Sequence, residues 1–213
     1  MNAAAARRRM VERQLRARGI EDERVLAAMA EAPREEFVPA ELRGRAYADS
    51  ALPIGEEQTI SQPWIVAAIC QALELRGPEL VLEVGTGSGY SAAVLSLLAS
   101  HVVSVERHAA LSAVAARALA SVGIGNVELV VGDGSLGVPQ RGRFDAIAVH
   151  ATAPGPPSAL LAQLAEGGRL VVPLAAGDAD VLTLYRREGD RLETEPISPC
   201  RFVPLIGEEG FAE

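Results

Sequence analysis

The chain has 213 residues, enough for one domain with a substantial hydrophobic core. Its 28 acidic and 20 basic residues leave a formal net charge of -8, which excludes the overall basic surface that duplex DNA or an anionic membrane would require. Every basic residue is arginine, so chemistry that needs a lysine amine, as in a Schiff base or a P-loop, is excluded too.

Cysteine and histidine usage adds further limits. Cys70 and Cys200 form no CxxC pair, and the start MNAAAARRRM lacks the apolar segment of a secretion signal. No apolar run approaches the length that spans a bilayer, and the histidines and cysteines lack metal-ligand spacing. We predict a cytoplasmic protein with reduced, buried thiols, without metal, nucleic acid or membrane partner, and we expect a monomer.

The first part of the chain predicts helices and turns. Apolar positions recur over residues 10–29 with a break at Gly19, which predicts two short amphipathic helices. A stretch rich in proline and glycine follows over 33–55. After Ser61, QPWIVAAICQALEL predicts a helix that ends before Gly77.

Beyond residue 80, short apolar runs alternate with helical segments. Strands that are apolar throughout and alternate with helices predict an α/β fold with a doubly wound parallel sheet. A Gly189-Asp190 turn separates the last two strands, which predicts an antiparallel pair at the C-terminal end. The predicted strands are 80–84, 102–105, 127–131, 145–149, 169–174, 180–187 and 192–205.

These elements predict one domain over residues 10–207. Within it, 10–79 forms a helical and substrate-loop layer and 80–207 forms the cofactor-binding sheet. Residues 1–9 are expected to form a flexible tail, and 208–213 a second tail.

The stretch LEVGTGSGYSA, residues 82–92, follows the first strand of this sheet and opens a helix, as a nucleotide-binding glycine loop does. Its glycines have GxGxG spacing, and Tyr90 stands where the dinucleotide fingerprint GxGxxG needs its third glycine. Glu83 precedes the loop, where it would repel a diphosphate at the helix N-terminus. A ligand with a cationic centre and no phosphate fits better, and S-adenosylmethionine is such a ligand.

Two further acids follow the next two strands. Glu106 lies at a strand end from which a carboxylate can accept hydrogen bonds from both ribose hydroxyls, and Asp133 can accept from the adenine amine. Because parallel strands share one carboxyl edge, Glu83, Glu106 and Asp133 are expected to line one crevice. The alternatives are an unliganded tight turn at the glycines, a solvated strand end at Glu106, and an ordinary Asp133-Gly134 turn.

Nine segments carry a family resemblance: EEFVP, LPIG, QTISQP, VLEVGTGSGYSAAVLS, VVSVER, VVGDGSLG, FDAIAV, GGRLVVPL and RFVPLIG. Together they resemble the protein-L-isoaspartate O-methyltransferases over about residues 10–207. The resemblance implies a Rossmann-like methyltransferase sheet of seven strands with the last strand inserted antiparallel. It also implies an S-adenosylmethionine-dependent enzyme that methylates the α-carboxyl of L-isoaspartyl residues in damaged proteins or peptides, after which the ester collapses to a succinimide.

The resemblance also assigns site residues, position by position. Ser61 in QTISQP matches the family's active-site serine, and Thr59, Ile60 and Val203 are expected at the substrate with it. Cofactor binding is implied for Glu83, Gly85, Thr86, Gly87, Gly89, Tyr90, Glu106, Arg107, Asp133 and Gly134.

Two residues depart from the family pattern. Glu57 lies where the family often has glycine, which matters if that position requires a positive φ. His150 lies where a small or uncharged residue is expected, and a catalytic role for it is an alternative.

The implied acceptor needs donors rather than a base. A carboxylate with an ordinary pKa of roughly 3.5 to 4 is already ionised at pH 7. Once it leaves water it requires hydrogen-bond donors, which the hydroxyls of Thr59 and Ser61 and the start of the following helix can supply. We predict that Ser61 orients the acceptor and is never modified. The alternative is a helix N-cap, and a hydrolase nucleophile is unsupported because no GxSxG motif or paired histidine accompanies it.

Other interpretations use the same residues. A methyltransferase acting on another carboxylate or a biosynthetic peptide would share the cofactor half of the chain. A dinucleotide-dependent oxidoreductase is disfavoured because Tyr90 replaces the third glycine of its fingerprint and because Glu83 lies beside the loop that would bind the diphosphate. A non-catalytic cofactor-binding module would not require the QTISQP segment. Trp64 either packs its helix on the sheet or covers the mouth of the site, and CRFVPL either offers an edge strand to a peptide or lies buried in the sheet.

Overall fold

The structure, a computed structural model, describes residues 2–213 and begins with a helical layer. Helix α1 (Ala3–Met10) continues through one π turn and one 3-10 turn until Gly19, whose φ of 89° ends it. Helix α2 (Glu23–Glu31) starts at Asp22, whose carboxylate accepts hydrogen bonds from two backbone N–H groups of the first turn. The predicted pair of short helices with a break at Gly19 is confirmed.

The predicted flexible tail over residues 1–9 is wrong for the part that the structure describes, because α1 occupies it. Met10 at the end of α1 is 1% exposed, and Arg7 donates a hydrogen bond to the carbonyl oxygen of Glu31. Alanine and arginine favour a helix, and burial of its end against α2 holds it in place.

Seven strands form the central sheet: β3 (Leu80–Val84), β4 (His101–Glu106), β5 (Val127–Val131), β6 (Phe144–Val149), β7 (Leu164–Ala176), β8 (Ala179–Glu188) and β9 (Arg191–Cys200). Their order across the sheet is β5-β4-β3-β6-β7-β8-β9. Strands β3 to β7 run parallel, whereas β8 is antiparallel to both of its neighbours. The predicted doubly wound sheet with an antiparallel C-terminal pair is confirmed.

One implied detail of this sheet is wrong. The last strand is not inserted between others but lies at the edge, because tight turns at Gly177 and Gly189 join β7, β8 and β9 as successive neighbours. Strand β9 also ends at Cys200, before the end of the predicted strand 192–205.

Both faces of the sheet are covered, as the apolar strands predict. Val81 packs with the N-terminal layer, whereas Leu82 and Val84 pack on the opposite face, and all three are at most 2% exposed. The covering helices are α3 (Pro63–Leu73), α4 (Tyr90–Ser96), α5 (Ala109–Ser121) and α6 (Ser158–Ala162). None of the helices in residues 2–213 is long and apolar enough to cross a membrane.

A separate two-stranded hairpin, β1 (Leu52–Gly55) and β2 (Gln58–Ile60), precedes α3. Its turn places Glu56 at φ 48° and Glu57 at φ 57°, both in the left-handed region. Position 57 therefore does require the positive φ that glycine adopts more easily, and this chain has glutamate there.

The chain end is not the free tail that is predicted over 208–213. The backbone of Thr152 hydrogen-bonds to Val203 and Leu205, and Phe211 donates back to the carbonyl oxygen of Leu205. The Glu208 N–H then bonds to Asp133. These bonds fold the C-terminal segment over the carboxyl edge of the sheet.

Candidate active site

A cavity of about 130 Å³ lies at the carboxyl ends of β3, β4 and β6. This is the edge at which open α/β sheets bind ligands. Its walls are formed by residues 58–61, the glycine loop, the end of β4, residues 150–151 and residues 203–206. We call it the first cavity.

The glycine loop forms the floor of the first cavity. Gly85, Gly87 and Gly89 all have positive φ, between 53° and 94°. A Cβ on Gly89 would lie 3.1 Å from the Cβ of Ala115, so glycine also permits the close packing of α5. Gly89 is the N-cap of α4 and does not line the cavity, whereas Gly85 and Gly87 do.

Glu106 braces this loop from the end of β4. Its two carboxylate oxygens accept hydrogen bonds from the N–H groups of Gly87 at 2.8 Å and His108 at 2.9 Å. The side chain is buried and lines the first cavity. Each oxygen keeps a second lone pair, so the carboxylate remains able to accept from a ligand hydroxyl.

Glu83 lies beneath the loop and does not line the cavity. It is completely buried, its Oε2 accepts a hydrogen bond from Ser104 Oγ at 2.5 Å, and its Oε1 has no hydrogen-bond partner. His150 Nε2 lies 3.4 Å from Oε1. A buried, incompletely paired carboxylate behind the loop favours a cationic ligand in front of it.

Asp133 also lies outside the first cavity. Its carboxylate accepts hydrogen bonds from the Ser135 N–H and hydroxyl and from the Glu208 N–H. Burial would raise the pKa of Asp133, but these hydrogen bonds outweigh it and hold the pKa below its ordinary range. Asp133 thus fastens the C-terminal segment, and its neighbour Gly134 lines the cavity instead.

Three other predicted cofactor residues line the first cavity. Thr86 is buried, and its Oγ1 lies 2.5 Å from Ser104 Oγ. Tyr90 is 1% exposed and packs edge to face with Phe37. Arg107 lies at the rim and forms an ion pair with Glu213.

A second cavity, of about 690 Å³, adjoins the first. Thr59, Ser61, His150 and Val203 border both cavities, while Ile60 borders only the first. Three of the four predicted substrate residues, Thr59, Ser61 and Val203, therefore lie between the two cavities, which we call the shared wall, and Ile60 lies beside them in the first cavity. The prediction had no means of dividing the site into two cavities.

Ser61 is not the helix cap. Gln62 is the N-cap of α3, and it makes no side-chain cap bond. The Ser61 hydroxyl has no hydrogen-bond partner among residues 2–213, whereas its carbonyl oxygen accepts a bond from Arg34. The alternative reading of Ser61 as an N-cap is therefore wrong.

Arg34 is a buried contact that the sequence interpretation missed. The side chain is 0% exposed, with Nε 2.7 Å from the carbonyl oxygen of Ala46 and Nη2 2.7 Å from that of Ser61. Its guanidinium lies 4.8 Å from the centre of the Tyr90 ring. Burial lowers the pKa of Arg34 to about 10, so the side chain remains cationic at neutral pH. No local pattern links residues this far apart.

His150 at the shared wall and Trp64 in the second cavity each have defined neighbours. His150 Nε2 lies 2.7 Å from Ser91 Oγ, and its ring is packed near Phe202. Trp64 lines the second cavity, and its Nε1 donates to the carbonyl oxygen of Arg18 at 3.2 Å. Trp64 therefore contacts the N-terminal layer and also packs against the core cluster that includes sheet residues.

The sheet order, the GxGxG loop and the acid at the end of the second parallel strand define the class of Rossmann-like methyltransferases. Residues 6–210 match the family described as protein-L-isoaspartate(D-aspartate) O-methyltransferase. A protein-L-isoaspartate O-methyltransferase 1 from Rhodopseudomonas palustris is 53% identical over 98% of this chain and 86% of its own.

Solved structures agree with that match. A protein-L-isoaspartate O-methyltransferase superposes with a TM-score of 0.83 at 33% identity, over 95% of this chain and 67% of that one. A Plasmodium falciparum chain described as a β-aspartate methyltransferase, in complex with S-adenosyl-L-homocysteine, shares the fold at TM-score 0.82 and 24% identity, over 94% and 98%. The chain belongs to the protein-L-isoaspartate(D-aspartate) O-methyltransferase family.

Proposed function

We propose that this protein uses S-adenosylmethionine to methylate the α-carboxyl group of L-isoaspartyl residues in damaged proteins or peptides. The resulting ester collapses to a succinimide, whose hydrolysis restores some normal aspartyl residues. The observation that carries the proposal is the shared wall, where Thr59 and Ser61, both with hydroxyl side chains, border both cavities.

The residues of the first cavity fit an adenosyl ligand with a cationic centre. The glycine loop and the carboxylate of Glu106 would hold the adenosine part, with Tyr90 in the cavity wall. Glu83 places an incompletely paired negative charge behind the loop. When bound, S-adenosylmethionine supplies an electrophilic methyl group on a sulfonium.

Ser61 and Thr59 would orient the acceptor in the second cavity. The acceptor carboxylate is already ionised at neutral pH, so neither hydroxyl has to act as a base. Because the Ser61 hydroxyl has no internal partner, it is free to donate to the carboxylate, and Arg34 fixes the backbone that carries it. Holding the reacting groups in line can contribute roughly 7 to 11 kcal/mol to lowering the barrier.

We also propose a cytoplasmic monomer without nucleic-acid or membrane partners. The free cysteines Cys70 and Cys200 support a reducing compartment. The net charge of -8 disfavours anionic partners. The exposed large apolar side chains belong to different elements and form no evident interface: Leu97, Val114, Val131 and Leu192.

Transfer of labelled methyl from S-adenosylmethionine tests the activity. The acceptors are one isoaspartyl peptide and its aspartyl twin, and the expected product is a base-labile ester on the isoaspartyl peptide alone. Equal labelling of both peptides would favour a methyltransferase for other carboxylates. No labelling of either would refute the proposal.

A further inference from the structure

The charge of the second cavity differs from that of the whole chain. The chain has 28 acidic and 20 basic residues, yet the fourteen residues that line this cavity, all of them described, include no aspartate or glutamate. Its charged side chains are Arg18 and Arg201, with His150 at the shared wall. A cavity lined by one sign of charge attracts ligands of the opposite sign.

The positive charge of Arg201 is less compensated by neighbouring carboxylates than that of Arg18. It is exposed, and its Nη2 donates to the carbonyl oxygen of Asp178 at 3.2 Å. No carboxylate in residues 2–213 forms an ion pair with it. A guanidinium in this state retains donors for a bidentate carboxylate bond.

Arg18 stands in the wall formed by the N-terminal layer. Its guanidinium lies 5.1 Å from the centre of the Trp64 ring, and its Nη1 bonds to both carboxylate oxygens of Asp49, at 3.0 and 3.2 Å. An exposed ion pair of this kind is weak, so it offers little resistance to a second carboxylate. The Trp64 contact holds the guanidinium at the cavity, and its remaining N–H groups can still donate.

The position of these arginines points to side chains that flank the acceptor. The second cavity begins at Ser61, and its volume of about 690 Å³ lies in the range typical of ligand sites. A peptide with its isoaspartyl carboxylate at the shared wall would extend through this cavity, past Arg18 and Arg201. An acidic neighbour would then meet two arginines, whereas a basic neighbour would meet like charge.

We propose that the second cavity selects isoaspartyl peptides that carry an acidic side chain close to the isoaspartyl residue, with Arg18 and Arg201 as the specificity-determining residues. This inference rests on the proposed methyltransferase function and adds the substrate class. A nucleic acid as the occupant of the two arginines is disfavoured by the overall acidity of the chain, and competition by it is an outcome of the test.

The test compares kcat/KM for isoaspartyl peptides that are identical except for neighbouring residues, which are glutamate, glutamine or lysine. In wild type at low salt we expect the glutamate peptide to exceed the glutamine peptide by about fivefold, the value of an ion pair near 1 kcal/mol, and the lysine peptide to be the poorest. The preference should shrink in 0.5 M NaCl, a condition in which exposed charges are screened.

Variants assign the preference to residues. The glutamate-to-glutamine ratio should approach one in the double variant Arg18→Gln/Arg201→Gln. Arg143→Gln is the matched control, because Arg143 is an exposed arginine next to the amino end of β6, at the opposite edge of the sheet. It should keep the wild-type ratio, and thermal melting confirms that each variant is folded.

Two results would overturn the inference while leaving the enzyme intact. One is equal kcat/KM for the glutamate and glutamine peptides, and the other is a preference that survives in the double variant. Inhibition by oligonucleotides with no flanking-residue preference would assign the arginines to nucleic acid and would also overturn it. Failure to methylate any isoaspartyl peptide would instead refute the proposed function, and the inference with it.

Discussion

Replacement of Arg34 by methionine tests whether a buried cation fixes the segment that carries Ser61. The change removes two charge-assisted hydrogen bonds, to the carbonyl oxygens of Ala46 and Ser61, and the stacking on Tyr90. Methionine keeps an unbranched chain and supplies no donor. Both carbonyl oxygens would then lose the bond from the guanidinium.

The expected change in the free energy of unfolding is the balance of two opposing effects. Two hydrogen bonds of about 1.5 to 3 kcal/mol each and a cation–π contact of about 2 kcal/mol stabilise the native state. Against this, burial lowers the pKa of Arg34 to about 10, a cost of roughly 3 kcal/mol. We expect Arg34→Met to lower the free energy of unfolding by about 3 kcal/mol, or Tm by roughly 6 to 12 °C.

Urea unfolding measures the stability change, and steady-state kinetics measure the effect on the site. We expect kcat to fall about tenfold or more and the Kd for S-adenosylmethionine to rise by a smaller factor, because Arg34 bonds to the backbone of Ser61 and contacts the cofactor cavity only through the Tyr90 ring. Arg24→Met is the matched control, since Arg24 is exposed and has one long bond to a carbonyl oxygen.

The pH dependence sharpens this test. Below pH 10 Arg34 is protonated in both folded and unfolded chains, so its contribution to stability is constant from pH 6 to 9. Above about pH 10 the folded chain loses the proton first, and the burial cost is relieved. A stability difference between wild type and Arg34→Met that varies between pH 6 and 9, or one no larger than that of Arg24→Met, would refute the reasoning.

The remaining predictions concern one hydroxyl and three acids in and around the site. Ser61→Ala should lower kcat/KM by about 10- to 100-fold and leave the free energy of unfolding unchanged within roughly 0.5 kcal/mol; total loss of activity or a covalent Ser61 adduct would contradict an orienting role. Glu57→Gly should stabilise the hairpin by about 1 kcal/mol in urea unfolding, whereas Glu57→Ala keeps the strained Cβ and should not. Glu106→Ala should raise the Kd for S-adenosylmethionine about tenfold or more by calorimetry, and an unchanged Kd would remove Glu106 from cofactor binding. Because the folded pKa of Asp133 is lowered, its stabilisation is present above the unfolded pKa of about 4 and is lost as pH falls through the folded value; Asp133→Asn should therefore flatten the acid limb of stability.

The strands were the most predictable part of the fold. Strands 80–84 and 127–131 have the predicted bounds, because a short apolar run between two helical segments is typical of a buried parallel strand. The predicted order of the last strands rested on the family resemblance, which implies an inserted strand, and it is wrong. The tight turns at Gly177 and Gly189 make β7, β8 and β9 successive neighbours, as their pairing shows.

The site was predictable where position along a strand decides it. Glu106 reaches the first cavity because it ends β4, but Glu83 points beneath the loop, and Asp133 is occupied by the C-terminal segment. Those outcomes depend on side-chain direction and on contacts from remote parts of the chain. Arg34 was missed for the same reason, because its partner carbonyl is 27 residues further on.

The composition of the edge strand β9 affects whether other protein chains can pair with this sheet. Strand β9 contains Pro196 and Pro199, which lack the N–H that strand pairing uses, together with exposed Glu193 and Glu195. An unpaired strand edge is a template on which another extended chain can pair and aggregate. The prolines make the β9 edge a poor template, so a partly unfolded substrate protein has little opportunity to add a strand there.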